Sequence, residues 1–268
     1  MYLASESTLY RILRKQGQLV HRGRAKVPTH TRPAPLCATA PNQVWTWDIT
    51  YLSSTIKGRF FYLYLFLDLY SRKIVGWEVH NEESSGHAAE TLRKTVLRET
   101  KGGLSPRVVL HSDNGSPMKG ATMLGTLQRL GIRPSFGRPS VSNDNAYSES
   151  LFKTLKYHSE YPVERPFDTL EESRKWISSF VGWYNDFHRH SAIKFVTPSQ
   201  RHRGEDRTLL HSRERIYREA QQKNPERWSG KTRDWTPIEK VTLNPQQETI
   251  GNEQRSHGKK SKNVRQIA

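Results

Sequence analysis

The chain has 268 residues, enough for one medium domain with appendages or for two small domains. Its 43 Lys and Arg residues against 26 Asp and Glu residues give a net charge of +17, which favours a polyanionic partner because each neutralised phosphate releases condensed counterions. The one cysteine, Cys37, excludes an internal disulfide and suits a reducing cytoplasm, and the longest apolar run, Phe60 to Leu67, is too short to span a bilayer.

The charge is uneven along the chain and divides it into three predicted regions. Residues 1–40 carry seven Lys and Arg against one acid, and residues 201–268 carry sixteen against nine. The centre, residues 41–200, is more balanced, with twenty against sixteen. We therefore expect a globular core over 41–200 between a basic N-terminal segment and a basic C-terminal region, of which residues 251–268 are polar enough to be disordered.

The N-terminal segment contains one predicted helix, Thr8–Gln16, with Ser7 as its N-cap. The basic residues that lie off its apolar face are Arg11, Arg14 and Lys15. This helix is either the second helix of a partial helix-turn-helix that binds DNA or a basic amphipathic helix that packs on the core. Residues 21–41, with repeated Arg, Lys and Pro, are typical of a linker.

Three strands are predicted next: Val44–Leu52, Phe60–Leu67 and Lys73–Val79. The first alternates, so that Trp45 and Trp47 share one face while Asp48 lies on the other. The second is continuously apolar, which indicates burial on both faces.

Helices and strands then alternate. The predicted elements are a helix from Ser84 or Ser85 to about Thr100, a strand over Arg107–Ser112, a helix over Lys119–Leu130, a strand over Ile132–Phe136, a helix from Asn143 or Asp144 to about His158, a helix over Leu170–His188, a helix over Arg207–Ala220, and one or two strands within Thr232–Leu243. This order predicts an α/β fold with a ribonuclease-H-like core, in which helices flank a mixed five-stranded sheet.

Three acids stand out by their positions in these elements. Asp48 lies in an apolar strand, where its charge costs free energy unless it is compensated. Asp113 follows the end of a strand, where open α/β sheets place their ligands, and Glu149 lies one to two turns into a helix. Three carboxylates at one point repel each other, and a pair of divalent cations would relieve that repulsion. Oxygen ligands select Mg²⁺ or Mn²⁺.

The sequence around each acid resembles a motif of the DDE transposase and retroviral integrase superfamily. The three segments are Trp45–Tyr51 (WTWDITY), His111–Ser116 (HSDNGS) and Ser142–Ser150 (SNDNAYSES). Between Asp113 and Glu149 lie 35 residues, a spacing that this superfamily often shows. The match continues through Leu151–Lys156, Trp183–Asn185, Arg189–Ser191 and Thr197–Pro198. Over about residues 41–200 the chain is similar to the second-frame (OrfB) transposases of the insertion-sequence-three family, although Pro117-Met118 replaces a Gln-Tyr-like pair.

This resemblance implies an activity, a cofactor and partners. Asp48, Asp113 and Glu149 would be the catalytic residues and the ligands of two Mg²⁺ (or Mn²⁺) ions per active site. The reaction would be phosphodiester cleavage at the ends of an element and transfer of the 3′-hydroxyl to another DNA strand. Expected partners are terminal-repeat DNA, target DNA, further copies of the chain on DNA and an upstream-frame helix-turn-helix protein, in the bacterial cytoplasm at the nucleoid and without a membrane.

Further residues near the acids have two interpretations each. Lys153 and Lys156 share the helix face of Glu149, so they either bind DNA or form a solvated face with a Glu149–Lys153 ion pair. Asn145 either orients Glu149 or DNA, or caps the helix. Arg138 either contacts a phosphate or is an ordinary surface arginine.

Two more polar residues favour a structural role. Asp68 is predicted to be a turn acid paired with Arg72 rather than a fourth ligand, and His111 is predicted to be packed or to support the acids rather than to bind metal. The alternatives to an active transposase are a catalytically silent DNA-binding remnant or accessory protein of a truncated element, and a structure-specific ribonuclease. The intact set of three acids favours activity.

Overall fold

The computed structural model describes residues 5–16, 34–100, 108–138 and 142–245. The strands in these residues are β1 (Leu36–Ala38), β2 (Val44–Ser53), β3 (Phe60–Asp68), β4 (Ile74–His80), β5 (Val109–Ser112), β6 (Arg133–Phe136) and β7 (Val241–Leu243). The α-helices are α1 (Glu6–Lys15), α2 (Ser85–Glu99), α3 (Ser116–Lys119), α4 (Ala121–Leu130), α5 (Ala146–Lys156), α6 (Leu170–Asp186), α7 (Pro198–His202) and α8 (Asp206–Lys223). No helix in the described ranges is both long enough and apolar enough to cross a membrane.

The central sheet is mixed and has five strands in the order β4-β3-β2-β5-β6. Strands β4, β3 and β2 pair antiparallel, as hairpin-connected strands do, whereas β5 and β6 add in parallel after helical crossovers. With helices on both faces of this sheet, the chain has the ribonuclease-H-like fold that the order of predicted elements indicated.

Alternation along the strands builds two apolar layers, one on each face of the sheet. Trp45 and Trp47 of β2 pack with residues of α2 and α4 on one face. Leu65 and Leu67 of β3 pack with residues of α5 and α6 on the other. Strand β3 contributes to both layers, which explains why its sequence is continuously apolar.

Several predicted boundaries are wrong, and the turns explain why. Helix α1 begins earlier than predicted, because the Ser5 hydroxyl rather than that of Ser7 accepts the N-terminal hydrogen bond. The helix predicted over Lys119–Leu130 is confirmed as α4, but it begins at Ala121, since the backbone is extended at Gly120, and a separate short helix, α3, precedes it. Helix α5 begins only at Ala146, after a short 3₁₀ turn over Ser142–Asn145.

The C-terminal region is more structured than its composition indicated. Strand β7 pairs with β1, which lies inside the predicted linker, and together they pack Ala38 and Leu243 against Val44 of the central sheet. The predicted helix over Arg207–Ala220 is confirmed as part of α8, but Val241–Leu243 is the one strand within Thr232–Leu243. Residues 251–268 and most of the linker lie outside the described residues.

Candidate active site

Strands β2 and β5 bring the first two acids to the same level of the sheet. The strands are parallel neighbours, with Thr46 paired to His111. Asp48 and Asp113 each follow that pair by two residues, so they lie side by side where β5 ends. Asp48 is partly buried, whereas Asp113 is exposed and accepts a hydrogen bond from the Gly115 amide at 3.0 Å.

The start of helix α5 is attached to β2 by two hydrogen bonds, both from residues just before Glu149. The Ser148 hydroxyl lies 3.2 Å from the Thr46 hydroxyl, and the side-chain amide of Asn145 donates to the Trp47 carbonyl at 3.2 Å. Both contacts are buried. They fix the first turns of α5 beside the strand that carries Asp48, so the third acid joins the other two through the packing of this helix.

The electrostatics of Asp48 reflect this convergence. Burial raises the pKa of the Asp48 carboxyl to about 7, and the negative charges of Asp113 and, more weakly, Glu149 act in the same direction. A hydrogen bond from the Ile49 amide, 2.8 Å from Oδ1, opposes the shift without cancelling it. The ionised form of Asp48 is therefore unfavourable in the folded chain unless a positive charge compensates it.

The donor set fits a hard divalent cation. All three side chains offer carboxylate oxygens, which Mg²⁺ and Mn²⁺ prefer, and their mutual repulsion is of the kind that a cation relieves. Across the four described ranges, however, no three His, Cys, Asp or Glu side chains are gathered closely enough to hold an ion. The backbone positions of the three acids converge, and their side chains would have to draw together to bind metal.

Asn145 neither caps α5 with its side chain nor faces solvent. Its side-chain amide donates to the Trp47 carbonyl, and its Oδ1 atom is buried with no hydrogen-bond partner among the described residues. The side chain therefore ties the start of α5, the helix that carries Glu149, to β2 one residue from Asp48.

Arg138 has a protein partner, which the sequence did not indicate. Its guanidinium and its backbone amide bind the Asp144 carboxylate, with Nη2 and Oδ1 3.0 Å apart. Although burial opposes it, this pairing lowers the pKa of Asp144. Asp144 also accepts a hydrogen bond at its carbonyl from His111, which is fully buried, so the prediction of a packed histidine is confirmed.

The basic residues of the predicted DNA surface are exposed. Helix α5 buries Leu151, Phe152 and Leu155, and leaves Lys153 and Lys156 in solvent. Both partners of the suggested Glu149–Lys153 ion pair are described residues, and no ion pair joins them. On α1 the exposed basic residues are Arg11, Arg14 and Lys15.

The predicted Asp68–Arg72 pair is wrong. The Asp68 carboxylate is fully buried and accepts hydrogen bonds from the Asn42 amide and from the amide and hydroxyl of Ser71, each at 2.7 Å. The Arg72 guanidinium instead lies 3.8 Å from the centre of the Tyr147 ring. The bonds from Ser71 are local, but Asn42 and Tyr147 are distant in the sequence, so the turn alone could not reveal them.

Comparisons with known proteins indicate the kind of domain that carries these residues. Two family models described as integrase core domain match residues 38–142 and 130–198. The transposase for insertion sequence element IS904 of Lactococcus lactis is 34% identical over 162 residues, which cover 60% of this chain and 61% of the relative. Transposase InsF for insertion sequence IS3A of Escherichia coli is 32% identical over 168 residues, which cover 61% of this chain and 54% of the relative.

A solved structure supports the fold. A chain of the cryo-EM structure of the simian T-cell lymphotropic virus intasome in complex with PP2A regulatory subunit B56 gamma has a TM-score of 0.51 at 18% identity, over 74% of this chain and 67% of that one. The present chain spans less than two thirds of the length of the two curated transposases. Residues 38–198, which the two models match between them, therefore belong to the integrase core domain family, and the chain is similar to transposases of insertion sequences of the IS3 kind.

Proposed function

We propose that this chain is a DDE-type DNA transposase that cleaves phosphodiester bonds at the ends of an element and transfers the 3′-hydroxyl to another DNA strand. The observation that carries the proposal is the environment of Asp48. Burial and the charges of Asp113 and Glu149 raise its pKa to about 7, in a domain whose relatives are named transposases. Perturbed carboxylates of this kind occur where charge is used for chemistry.

Asp48, Asp113 and Glu149 are the proposed ligands of two Mg²⁺ or Mn²⁺ ions. Such a pair of ions, when bound, activates the attacking oxygen and stabilises the leaving oxygen of an in-line displacement at phosphorus. The protein supplies the geometry for this: Asp48 extends from a buried strand, the Gly115 amide holds Asp113, and the Ser148 and Asn145 contacts hold the helix of Glu149. Because these hydrogen bonds fix the three acids on strands and a helix, they limit misplacement of the reacting groups.

The exposed basic residues would hold the DNA. Lys153 and Lys156 lie on the helix of Glu149, so phosphates bound there would be close to the three acids. Arg11, Arg14 and Lys15 of α1 would contribute contacts further away. The proposed partners are terminal-repeat and target DNA, further copies of the chain on DNA and an upstream-frame helix-turn-helix protein, in the bacterial cytoplasm at the nucleoid.

The test replaces each acid by its uncharged isostere. Asp48→Asn, Asp113→Asn and Glu149→Gln should each abolish Mg²⁺-dependent joining of a labelled terminal-repeat oligonucleotide, because carboxylates bind the ions. DNA affinity should change little, since phosphate contacts come from the basic residues. Asp186→Asn, at an exposed position at the end of α6, is the matched control and should retain joining.

Two outcomes would count against the proposal. Appreciable joining by one of the three variants would remove that residue from the site. If the unmodified chain binds terminal-repeat DNA but joins none with Mg²⁺ or Mn²⁺, the chain is a silent DNA-binding protein instead.

A further inference from the structure

Arg72 is a buried cation without a carboxylate partner. Its side chain is only 6% exposed, and among the described residues no Asp or Glu oxygen lies within ion-pair distance of it. Its Nη1 atom is buried and has no hydrogen-bond partner. Stacking on Tyr147 provides some compensation, but a buried guanidinium that keeps an unused donor is costly. The backbone at Arg72 is also in the left-handed region, with φ of +66°.

The same arginine lines a cavity of about 100 Å³ between the sheet, α5 and the segment that follows α6. A single water needs roughly 10–15 Å³ by this measure, so the cavity has room for a phosphate group but not for a nucleoside. The lining residues that matter here are Arg72, Ser150, Tyr184, His190 and Ala192. Ser150 and Ala192 are exposed and mark the mouth, whereas Arg72 and Tyr184 lie deep.

The polar lining is made of donors. Tyr184 is close enough to Arg72 for the positive charge to oppose the burial that raises its pKa. Burial, followed by the charges of Arg72 and His188, lowers the pKa of His190 to about 4, so this imidazole is neutral at pH 7. The Ala192 amide donates to His190 Nδ1 at 3.2 Å, which assigns the ring hydrogen to Nε2. Among the residues that the structure describes, no Asp or Glu lines the cavity.

We propose that this cavity binds one phosphate group of the DNA backbone, with Arg72 as the charged contact at its floor. A small cavity that offers a guanidinium, hydroxyl groups and no acid is complementary to a phosphate oxygen. The inference deepens the proposed function and rests on it for the identity of the ligand as DNA.

The position of the mouth explains why the phosphate belongs to DNA rather than to a free anion. Ser150 follows Glu149 directly along α5, and exposed Lys153 lies one turn further. A strand whose reacting phosphate lies at the three acids would therefore pass the mouth within one or two nucleotides. The site would fix the register of the strand relative to Glu149.

The test adds a negative charge at the mouth, because replacing Arg72 itself would also remove packing against Tyr147. Ala192→Asp places a carboxylate beside the cavity, and Ala192→Asn is the matched control of equal size. Ser178→Asp, at an exposed position of α6, controls for a general loss of positive charge. At constant ionic strength, inorganic phosphate should raise the melting temperature of the wild type, Ala192→Asn and Ser178→Asp, but not that of Ala192→Asp.

A second measurement identifies the source of the phosphate. Terminal-repeat duplexes carry one uncharged methylphosphonate at a time, and binding is measured without a divalent cation. At one position the methylphosphonate should weaken DNA binding by the wild type by about tenfold, whereas the same methylphosphonate should not change binding by Ala192→Asp. Equal phosphate stabilisation of all four proteins, or no methylphosphonate position whose effect depends on residue 192, would overturn the proposal. Because neither readout needs catalysis, failure of DNA joining would leave this result interpretable.

Discussion

At Asp48 the protein keeps a carboxylate in the middle of its most apolar hairpin. The residue lies opposite Leu65 in the strand pairing and next to Trp47, which is almost fully buried. Because its pKa is raised to about 7, the carboxyl is only half ionised at neutral pH, and above that pH the folded chain has to hold an unfavourable negative charge. A residue that costs stability where it stands is typical of a site kept for function.

The first prediction concerns this cost. Without divalent cations at pH 8, Asp48→Asn should melt at a higher temperature than the wild type, by about 2 °C or more, because it removes the charge that burial and Asp113 disfavour. Calorimetry measures the difference. Mg²⁺ should raise the melting temperature of the wild type and have little effect on the variant. An unchanged or lower melting temperature for Asp48→Asn would show that the charge of Asp48 does not destabilise the fold.

At the level of single residues, the sequence predicted positions in the fold better than it predicted side-chain contacts. The positions of the three acids in the fold were predictable because strand alternation, a strand end and a helix start each constrain where one residue lies. The partners of Asp68 and Arg138 were not, since hydrogen bonds to Asn42 and Asp144 depend on how loops pack. Asn145 was recognised as a residue near the site, but its contact with the Trp47 carbonyl requires the helix to be docked.

At the scale of the elements, helix α5 has a packing face and a solvent face with different roles. One face packs into the apolar layer with α6, and the solvent face carries Lys153 and Lys156. A phosphate held there would lie near the reacting groups, where position affects the transition state more than the binding equilibrium.

We therefore predict that Lys153→Ala and Lys156→Ala reduce the rate of strand transfer far more than they weaken DNA binding. A misplacement of about one ångström can cost about a hundredfold in rate, whereas the other Lys and Arg residues of a chain with a net charge of +17 would still attract DNA. Lys175→Ala, at an exposed position of α6, is the control and should change neither. Single-turnover joining and equilibrium binding are measured on the same duplex. Equal losses in rate and affinity would make these lysines ordinary phosphate contacts, and no loss would make them a solvated face.

A partly buried polar network connects α2, α7 and the turn after β3. His202 of α7 contacts Glu99 at 3.0 Å and the Ser71 hydroxyl at 2.9 Å, and Lys73 contacts Glu99 at 2.9 Å. Burial alone would raise the pKa of Glu99, but the hydrogen bonds from His202 and Lys73 lower it to about 2. This network anchors the segment after α6 to the core.

The pH dependence of that anchor follows from the direction of the shift. Since the pKa of Glu99 is lower in the folded chain than its ordinary value of 4.5, its contribution to stability is complete above about pH 4.5 and is lost as the pH falls towards 2. Glu99→Gln should therefore be less stable than the wild type at pH 7, and the gap should narrow below pH 4.5. Urea unfolding at a series of pH values measures the difference in the free energy of unfolding between the two proteins. A difference that is constant with pH would show that the ionised form of Glu99 does not stabilise the fold.

Element prediction succeeded where periodicity extends over several residues and failed where it does not. The long strands β2 and β3 and the long helices α2 and α6 have clear patterns. Strands β1 and β7 have three residues each, too few for any period to appear, and their pairing joins positions far apart in the sequence. In the C-terminal region the sequence therefore predicted the helix over Arg207–Ala220 and a strand within Thr232–Leu243, but not the pairing of β7 with β1.

For the whole molecule, the C-terminal region is described up to residue 245. Up to that point it is part of the fold: Arg201 stacks on Tyr70 and donates to the Ile238 carbonyl at 2.7 Å, and Val241 packs with Ala38. Beyond it the sequence is almost free of apolar residues, and residues 251–268 hold five Lys and Arg against one acid. Stability and DNA attraction should thus depend on different parts of the same region.

Two truncations separate these contributions. Removing residues 251–268 should leave the melting temperature unchanged and flatten the dependence of DNA affinity on salt, because fewer counterions are released on binding. Removing residues 241–268 also deletes β7, so it should lower the melting temperature markedly as Ala38 and Val44 lose their cover. The salt slope should be the same for both truncations. If the shorter deletion already lowers the melting temperature, the last residues pack on the fold; if it leaves the salt slope unchanged, they do not contact DNA.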